Sequence, residues 1–570
     1  VKHYFPILTW LSNYQKEWLR GDLFAGLTVG VMLIPQGMAY ALIAGLPPVY
    51  GLYASIVPQI IYALFGTSRQ LSVGPVAMDS LLVASGVSVL ATEGSEVYIT
   101  YAILLAFIMG AIQLTLGLIK MGFITHLLAK PVISGFTSAA AFIIGLNQLK
   151  YFIGVDIEKS NQIYRILLNA FESIELTHLP TLLLGILGVL MIKGAKNYAP
   201  RLPGALIAVV VGILIVTFFG LQDKGVSVVQ EIPDGLPSFV LPDLSWSTIQ
   251  KLLPLALTIG VVAFMEAYSV AKAIESKRRD HQIQPNQELI GLGAANMVGA
   301  LFQSYPVTGG FSRSAVNDQS GANTPLSSII SAALIAFTLL FLTPLFYYLP
   351  HAILASVIMV AVSGLIDMTY ARELWKTDKI EFGLLLATFI ITLQFGMVPG
   401  IVSGIILSIL ILLFRAANPH MAILGQVKGY QEYRNIRRFK GLDQWDNILI
   451  IRIDAPFAFV NIQTIKDKIL NEIELKEGQK RHVVLDASSV AYIDATALNG
   501  LKELMQSLKE KQVEMIFAEV RGPVRDAFFK NSIVEKGEES FFLTTHDAVR
   551  HCLDENHEAL GAEFIQQHND

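Results

Sequence analysis

Between Asp22 and Arg415 the chain runs through one long apolar stretch after another, and this pattern constrains the fold more than any other feature. A helix that crosses the hydrocarbon core of a bilayer needs roughly 20 mostly apolar residues. Such stretches, several cut short by Gly or Pro, occupy 23–43, 49–65, 100–119, 132–146, 182–192, 206–219, 253–270, 289–302, 327–348, 352–365, 382–394 and 401–414. Two irregular segments, 66–89 and 305–317, bring the expected number of membrane elements to about fourteen. Charged residues make up only 15% of the chain, where a soluble protein carries roughly 25%.

The distribution of Lys and Arg supports this threading, because cytoplasmic loops collect cations. With the N-terminus inside, the inner loops hold Arg69; Lys120 and Lys130; Lys193, Lys196 and Arg201; Lys277, Arg278 and Arg279; and Arg372, Lys376 and Lys379. The outer loops hold Glu93, Glu96, Asp156, Glu158, Asp223, Glu231 and Asp234, with the cations Lys150, Lys159, Arg165 and Lys224 among them. The first twenty residues lack the order of a signal peptide, and Lys16, Glu17 and Arg20 read as a polar entry to the first membrane helix. The expectation is a multi-pass protein of a cell inner membrane, with its N-terminus and C-terminal domain cytoplasmic.

After Gln426 the composition becomes that of a soluble protein. Strands are expected at 448–453, 483–485 and 515–517, alternating with helices at 461–473 and 497–509, which argues a small α/β domain. The division expected is a membrane domain over 1–425, a linker over 426–446, the α/β domain over 447–560 and a tail over 561–570. The net charge of −4 points away from nucleic acid as a partner. The single cysteine, Cys552, permits no internal disulfide, and the scattered histidines form no metal-ligand set. No cofactor is implied and no catalytic constellation stands out, so the chain is not expected to be an enzyme.

The two irregular segments carry the functional signal. The first is Gly66-Thr-Ser-Arg-Gln-Leu-Ser-Val-Gly-Pro-Val-Ala77, and the second Tyr305-Pro-Val-Thr-Gly-Gly-Phe-Ser-Arg-Ser-Ala-Val-Asn317. Each places Gly, Pro and hydroxyl residues at membrane depth beside a helix start. Backbone of this kind must be buried in protein or line a cavity. One such stretch alone reads as a re-entrant turn or a glycine packing contact, but broken segments at matching places in two halves point to a transport site. Each would end at a helix N-terminus, where free N–H groups and the helix dipole hold an anion. Ser72, Gly74, Gly310, Ser312 and Ser314 would leave backbone accessible or add hydroxyls, and Arg313 adds positive charge.

A second pair of polar residues precedes these segments. Gln36 is expected to interrupt the first helix, and Glu266 the helix before the second segment. Tyr40 lies one turn from Gln36 on the same face and would wall the cavity, or serve as a core tyrosine. A carboxylate inside the membrane is costly and is a functional hypothesis by default. Glu266 is read as a proton-coupling group, with a structural pair to Arg313 and a sodium ligand as alternatives. Asp79, at the start of the first broken helix, ranks below it as a complement to that helix's dipole. Glu288 and Asn296 read as capping or interhelical hydrogen-bonding residues.

Several motifs carry a family resemblance. Ile34-Pro-Gln-Gly-Met-Ala-Tyr-Ala41, Gly45-Leu-Pro-Pro-Val-Tyr-Gly-Leu-Tyr53, Gly66-Thr-Ser-Arg69, Ser72-Val-Gly-Pro75, Asn286-Gln-Glu-Leu-Ile290 and Pro306-Val-Thr-Gly-Gly-Phe-Ser-Arg-Ser-Ala-Val-Asn317 resemble the SulP family of sulfate permeases and anion exchangers. Leu485-Asp-Ala-Ser-Ser-Val-Ala-Tyr-Ile-Asp-Ala-Thr-Ala-Leu498 resembles the signature loop of STAS domains. The resemblance implies fourteen membrane segments in two inverted repeats of seven, with a core domain that moves against a gate domain as an elevator. It implies an anion site between the third and tenth segments, beside the first. That site would be formed by Gln36, Tyr40, the backbone of Val76 and Ala77, and Ser312, flanked by Phe311 and Arg313. A carboxylate like Glu266 favours proton–sulfate symport. Bicarbonate, chloride or dicarboxylate transport on the same scaffold is the alternative, and an anion channel or sensor a more distant one. A homodimer is expected, with a regulatory protein as a possible partner of the STAS domain. Asp494 and Thr496 would cap the helix that follows them or mark a phosphorylation switch.

Overall fold

In a bilayer every backbone polar group must find its partner inside the protein, so the apolar stretches fold as helices. The computed structural model describes residues 5–123, 129–155, 163–198, 204–231, 233, 235–474, 481–533 and 541–553. The expected tail over 561–570 and the loop residues Asp156, Glu158, Lys159, Arg201 and Asp234 lie outside them. The chain divides into two units, Val1–Ser408 and Ile409–Asp570.

A short helix α1 (Ile7–Trp10) precedes the first half of the membrane unit. That half runs α2 (Trp18–Ile43), α3 (Pro48–Tyr53), α4 (Val57–Phe65), β1 (Val73–Gly74), α5 (Ala77–Val87), α6 (Glu96–Leu118), α7 (Lys130–Asn147), α8 (Leu149–Ile153), α9 (Ile163–Glu172), α10 (Leu179–Tyr198) and α11 (Gly204–Phe219). The second half repeats the order with α12 (Trp246–Arg278), α13 (Pro285–Ala300), β2 (Thr308–Gly309), α14 (Phe311–Gln319), α15 (Leu326–Phe341), α16 (His351–Ser363), α17 (Met368–Thr377), α18 (Lys379–Phe395) and α19 (Met397–Ala417). Each half opens with a long helix, continues with a second, and then breaks into a two-residue strand and a half-helix. The two strands pair antiparallel, Val73 with Gly309 and Gly74 with Thr308. Equivalent pieces of the halves therefore enter their shared ladder in opposite directions, as an inverted repeat requires.

The membrane helices sort into two bundles. In one, α2 to α6 pack with α12 to α15; in the other, α7, α10 and α11 pack with α16 and α18. Without a hydrophobic drive between helices in lipid, close approach depends on small residues. The crossing of α6 and α13 shows it: a Cβ on Gly110 would stand 2.7 Å from the Gly293 carbonyl oxygen, and one on Gly293 would stand 2.8 Å from that of Gly110. Larger residues at either position would push the two halves apart.

Every expected span is helical over most of its length, with 49–65 split by a turn at 54–56 and the helix within 327–348 ending at Phe341, and most others extend beyond the apolar stretch into polar ends. Two expectations fail. Neither Gln36 nor Glu266 interrupts its helix: α2 runs unbroken from Trp18 to Ile43 and α12 from Trp246 to Arg278. A polar side chain leaves the backbone ladder intact, and α2 accommodates Pro35 without ending. The amphipathic helices α9 and α17 were not foreseen. Each follows the fifth spanning element of its half and is too short and too polar to stand out as a span. Asp367 caps α17 by accepting from the Tyr370 N–H at 2.9 Å.

The second unit holds a six-stranded sheet in the order β4-β3-β5-β6-β7-β8. Its elements are β3 (Met421–Gln426), β4 (Tyr433–Asn435), β5 (Ile448–Ile453), α20 (Ile462–Glu474), β6 (His482–Asp486), α21 (Ala495–Glu510), β7 (Glu514–Ala518), α22 (Gly522–Lys530), β8 (Phe541–Phe542) and α23 (Thr545–Leu553). Strands β5 to β8 are parallel, and β3 is antiparallel to both β4 and β5. The stretch expected as a linker, 426–446, therefore contributes β4 and its turns to the sheet. Its many charges hide a strand that buries only Tyr433. Helices α20 to α22 cover one face around Ile465, Leu501 and Phe517, and α23 covers the other against Ile450 and Ile516.

Asp494 accepts from the Ala497 N–H at 2.8 Å, capping α21, and from the Phe459 N–H at 2.7 Å, while Thr496 is exposed in the first turn. At the end of β5, Asp454 accepts from Arg452 Nε at 2.7 Å and pairs with His420 Nδ1 at 2.8 Å. Partial burial opposes ionisation, but these two partners outweigh it and hold Asp454 below the usual carboxylate range. A depressed folded value adds stability above the unfolded value, about 4, and that stability is lost as the pH falls through the folded value. Asp454→Asn should therefore lower the urea midpoint of β5 exchange protection in the full chain at pH 7. The variant and the parent should converge once the pH has fallen below the folded value of Asp454.

Candidate functional site

The β1–β2 pair lies where the two halves meet, and both of its strands lead directly into a helix N-terminus. Val76 and Gly310 are the extended N-cap positions of α5 and α14, and neither helix has a side-chain cap. The first turns of both helices therefore present open N–H groups with their positive dipole ends. A Cβ on Gly310 would stand 2.8 Å from Arg313 Cζ, so any larger residue there would displace the guanidinium.

Hydrogen bonds fix the relative placement of the two ends. The Gly310 N–H donates to the Ser72 carbonyl at 3.0 Å. The Ser72 N–H donates to Ser314 Oγ at 2.9 Å, and Asn317 Nδ2 donates to the Gln70 carbonyl at 3.0 Å. The Ser72 backbone and the Ser314 hydroxyl are thus fully buried ties between the halves, while the Ser72 hydroxyl meets no partner among the described residues. Asn296 on α13 clamps the approach to β2, accepting from the Val307 N–H at 2.9 Å and donating to its carbonyl at 3.0 Å. Thr308 Oγ1 donates to the Ala263 carbonyl of α12 at 2.6 Å. Upstream of β1, Glu288 accepts from Tyr62 Oη at 2.6 Å, from Thr67 through Oγ1 at 2.5 Å and N–H at 2.7 Å, and from the Ser68 N–H at 3.2 Å. Asp22 does the converse for the second half, accepting from the Asn323 N–H at 2.7 Å and from Thr324 Oγ1 at 2.6 Å.

The side chains singled out in the sequence fall into three groups. Gln36 and Tyr40 are buried on α2, which packs against α5 and α14, and Gln36 Oε1 meets no hydrogen-bond partner among the described residues. Arg313 is 2% exposed; its Nη1 donates to the Pro75 carbonyl at 2.8 Å, while its buried Nε and Nη2 meet no partner among the described residues. Tyr40 and Glu266 lie within electrostatic reach of Arg313. Ala77 is buried and Val76 half-buried, whereas Phe311 and Ser312 are exposed at the start of α14. The structure thus brings Tyr40, Glu266 and Arg313 together beside the α5 and α14 N-termini.

Two residues of this neighbourhood carried less weight in the sequence. Tyr305 is fully buried, its hydroxyl 3.1 Å from Ser80 Oγ. Asp79, ranked below Glu266, is also fully buried, and neither of its oxygens meets a hydrogen-bond partner among the described residues. Both sit inside the irregular segments, but only the pairing of β1 with β2 shows that they share one site. No group of three or more His, Cys, Asp or Glu side chains among the described residues is arranged to hold a metal ion.

The family model described as "Sulfate permease family" matches residues 19–388. The chain belongs to the sulfate permease family. Its second unit matches the STAS domain over 441–548. The permease is 40% identical over 569 residues to "Sulfate transporter 4.1, chloroplastic" of Arabidopsis thaliana, covering 96% of this chain and 82% of that protein. It is 34% identical over 546 residues to a probable sulfate transporter of Mycobacterium tuberculosis, covering 96% and 97%. The solved structure of murine Solute Carrier 26 family member A9, an anion transporter in the inward-facing state, shares the fold with a TM-score of 0.89 at 24% identity, covering 96% of this chain and 94% of that one. The transmembrane domain of the cyanobacterial bicarbonate transporter BicA aligns with a TM-score of 0.61 at 25% identity, covering 70% and 98%. The permease is therefore a multi-pass membrane protein of a transporter family, not an enzyme.

Asn296→Ala would strip the Val307 N–H of its partner, at a cost of about 1–3 kcal/mol for a buried donor. The thermal midpoint of the detergent-solubilised permease should fall accordingly, and exchange protection of the β2 amides should fall with it.

Proposed function

We propose that the permease carries sulfate across its membrane in symport with protons. The observation that carries this reading is the antiparallel β1–β2 pair, which brings two uncapped half-helix N-termini and a buried Arg313 to one place. Open N–H groups, two positive dipole ends and unsatisfied guanidinium donors form an environment for a small oxyanion. Curated relatives named as sulfate transporters, matched over almost the whole chain, support sulfate as that oxyanion.

In this reading the anion is held by the N–H groups at Val76–Ala77 and at Phe311–Ser312, with Arg313 behind it and Gln36 and Tyr40 forming the wall on α2. Glu266 exchanges a proton as the anion loads and leaves, because its charge is balanced by Arg313 only while Arg313 is not engaged by the anion. The bundle of α2 to α6 and α12 to α15 carries the site past the other bundle, as an elevator. The Lys and Arg bias supports a cytoplasmic N-terminus and STAS domain, and the membrane in this reading is a cell inner membrane. The STAS domain supports a homodimer or receives a regulatory partner.

Sulfate uptake into proteoliposomes tests the reading. An inward proton gradient should drive uptake by the parent, and Glu266→Gln should lose the stimulation. The likeness to BicA favours bicarbonate as the second reading. Bicarbonate uptake with no sulfate uptake would replace the substrate assigned here and leave the site in place. Ser312→Trp fills the mouth of the site from an exposed position, so it should fold normally. It should weaken sulfate binding by more than about tenfold, roughly 1.4 kcal/mol, as read by titration calorimetry.

A further inference from the structure

The second unit contains a cavity of about 330 Å³ that plays no part in the transport reading. Three arginines line it, Arg434, Arg438 and Arg452, and one carboxylate, Asp454. Strand β3 lies between β4 and β5, with Leu424 opposite Asn435 on one side and Ala422 opposite Arg452 on the other. Opposite residues share a sheet face, and a face repeats every second residue, so Asn435 and Arg452 reach the cavity from the two flanking strands. Past the ladder, the Asp454 N–H donates to the His420 carbonyl at 3.0 Å and extends the pairing by one step. Asn435 turns the chain back on itself. Its carbonyl accepts from the Arg438 and Phe439 N–H groups, each at 3.0 Å, and its Oδ1 accepts from the Arg437 N–H at 2.8 Å. This turn returns Arg438 and Phe439 to the cavity wall.

Most of the guanidinium donors are not spent on protein partners. Arg452 uses Nε and Nη2 on Asp454, at 2.7 and 3.3 Å, and His420 Nδ1 pairs with the same carboxylate at 2.8 Å. Asp454 therefore orients two lining groups and is itself occupied. Arg434 gives Nη2 to Glu432 and Nη1 to the Tyr433 carbonyl at 3.3 Å. The Arg438 guanidinium makes no hydrogen bond or ion pair among the described residues. A single exposed arginine is an ordinary solvated charge. Three that converge on one concavity repel each other, and against one carboxylate they leave it with two positive charges when His420 is neutral, in a chain whose net charge is −4. A cleft lined by one sign of charge concentrates the opposite ion. Each guanidinium fork can pair with two oxygens of one anion, and forks arriving from β4, β5 and the turn after β4 suit a tetrahedral one.

We infer that this cavity is a second anion site, which binds a divalent tetrahedral oxyanion: sulfate or phosphate, free or as the head group of an ester. The volume holds such an ion with several waters, each of which takes about 30 Å³. Phe439, exposed beside the arginines, gives the organic part of an ester an apolar face. The site stands apart from the transport reading, because every residue in it belongs to the second unit. It lets an anion in the surrounding solution occupy the STAS domain whether or not the membrane unit is loaded.

Peptide-resolved hydrogen exchange of the detergent-purified full chain tests the site. Sodium sulfate, sodium phosphate and glycerol 3-phosphate are each compared with sodium chloride at the same ionic strength. The amides of Arg437, Arg438 and Phe439 should exchange up to about tenfold more slowly at ten times the half-saturating concentration. Arg438→Gln removes a side chain without protein partners, so it should fold as the parent does. It should raise the half-saturating concentration by more than about tenfold, the scale of one hydrogen bond to a charged group. Arg434→Gln is the second variant, with the same direction expected. Ser312→Trp, at the transport site, should leave this response unchanged, so a failure there is seen apart from a failure here. Slowing by sulfate or phosphate supports a site for the free ion, and slowing by glycerol 3-phosphate alone supports one for an ester head group. No slowing by any of the three overturns the inference. So does equal slowing in chloride, which is general screening, or slowing that persists undiminished in both arginine variants.

Discussion

Everything at the centre of the membrane unit depends on a two-residue antiparallel ladder. Irregular backbone at membrane depth has no water to satisfy it. Pairing β1 with β2, supported by the Gly310–Ser72 and Ser72–Ser314 bonds, lets two helices begin in the middle of the protein instead of at its surface. Two half-helix dipoles then point inward with their first turns unpaired. The anion site proposed above rests on that geometry, with Arg313 and Glu266 beside it.

The carboxylates of this unit divide by their hydrogen bonds. Asp22 and Glu288 are buried and saturated, and they tie the loops of one half to helices of the other. Glu266 and Asp79 are undersupplied: Glu266 Oε2 and both Asp79 oxygens meet no partner among the described residues. Residue type alone does not separate the two classes. The count of donors around each oxygen does.

Much of this was legible in the sequence. Apolar length located each span, and the two Gly- and Ser-rich interruptions located both half-helices, since no other composition tolerates exposed backbone inside a membrane. The strands at 448–453 and around 483–485 were equally plain from their β-branched runs. What could not be read was pairing. Ser314 looked like a free hydroxyl donor and ties the halves through its Oγ, and Gln36 and Glu266 looked like helix breaks and lie in unbroken helices. The Ser72–Ser314 tie depends on a contact 242 residues distant in the chain, for which local pattern holds no signal. β4 escaped for a different reason, because a strand that buries one side chain leaves little periodicity to detect.

The reciprocal construction also bears on how the polypeptide is made. The Ser72 N–H finds its partner on Ser314, 242 residues further along, and the strand that completes β1 is synthesised only shortly before it. Throughout that interval the ribosome delivers further helices into the bilayer while Val73 and Gly74 lack their ladder. A nascent first half thus holds polar backbone that nothing of its own can satisfy, and the insertion machinery must shelter it until the second half arrives. The symmetry that builds the site makes its assembly a late, all-or-none event of biosynthesis.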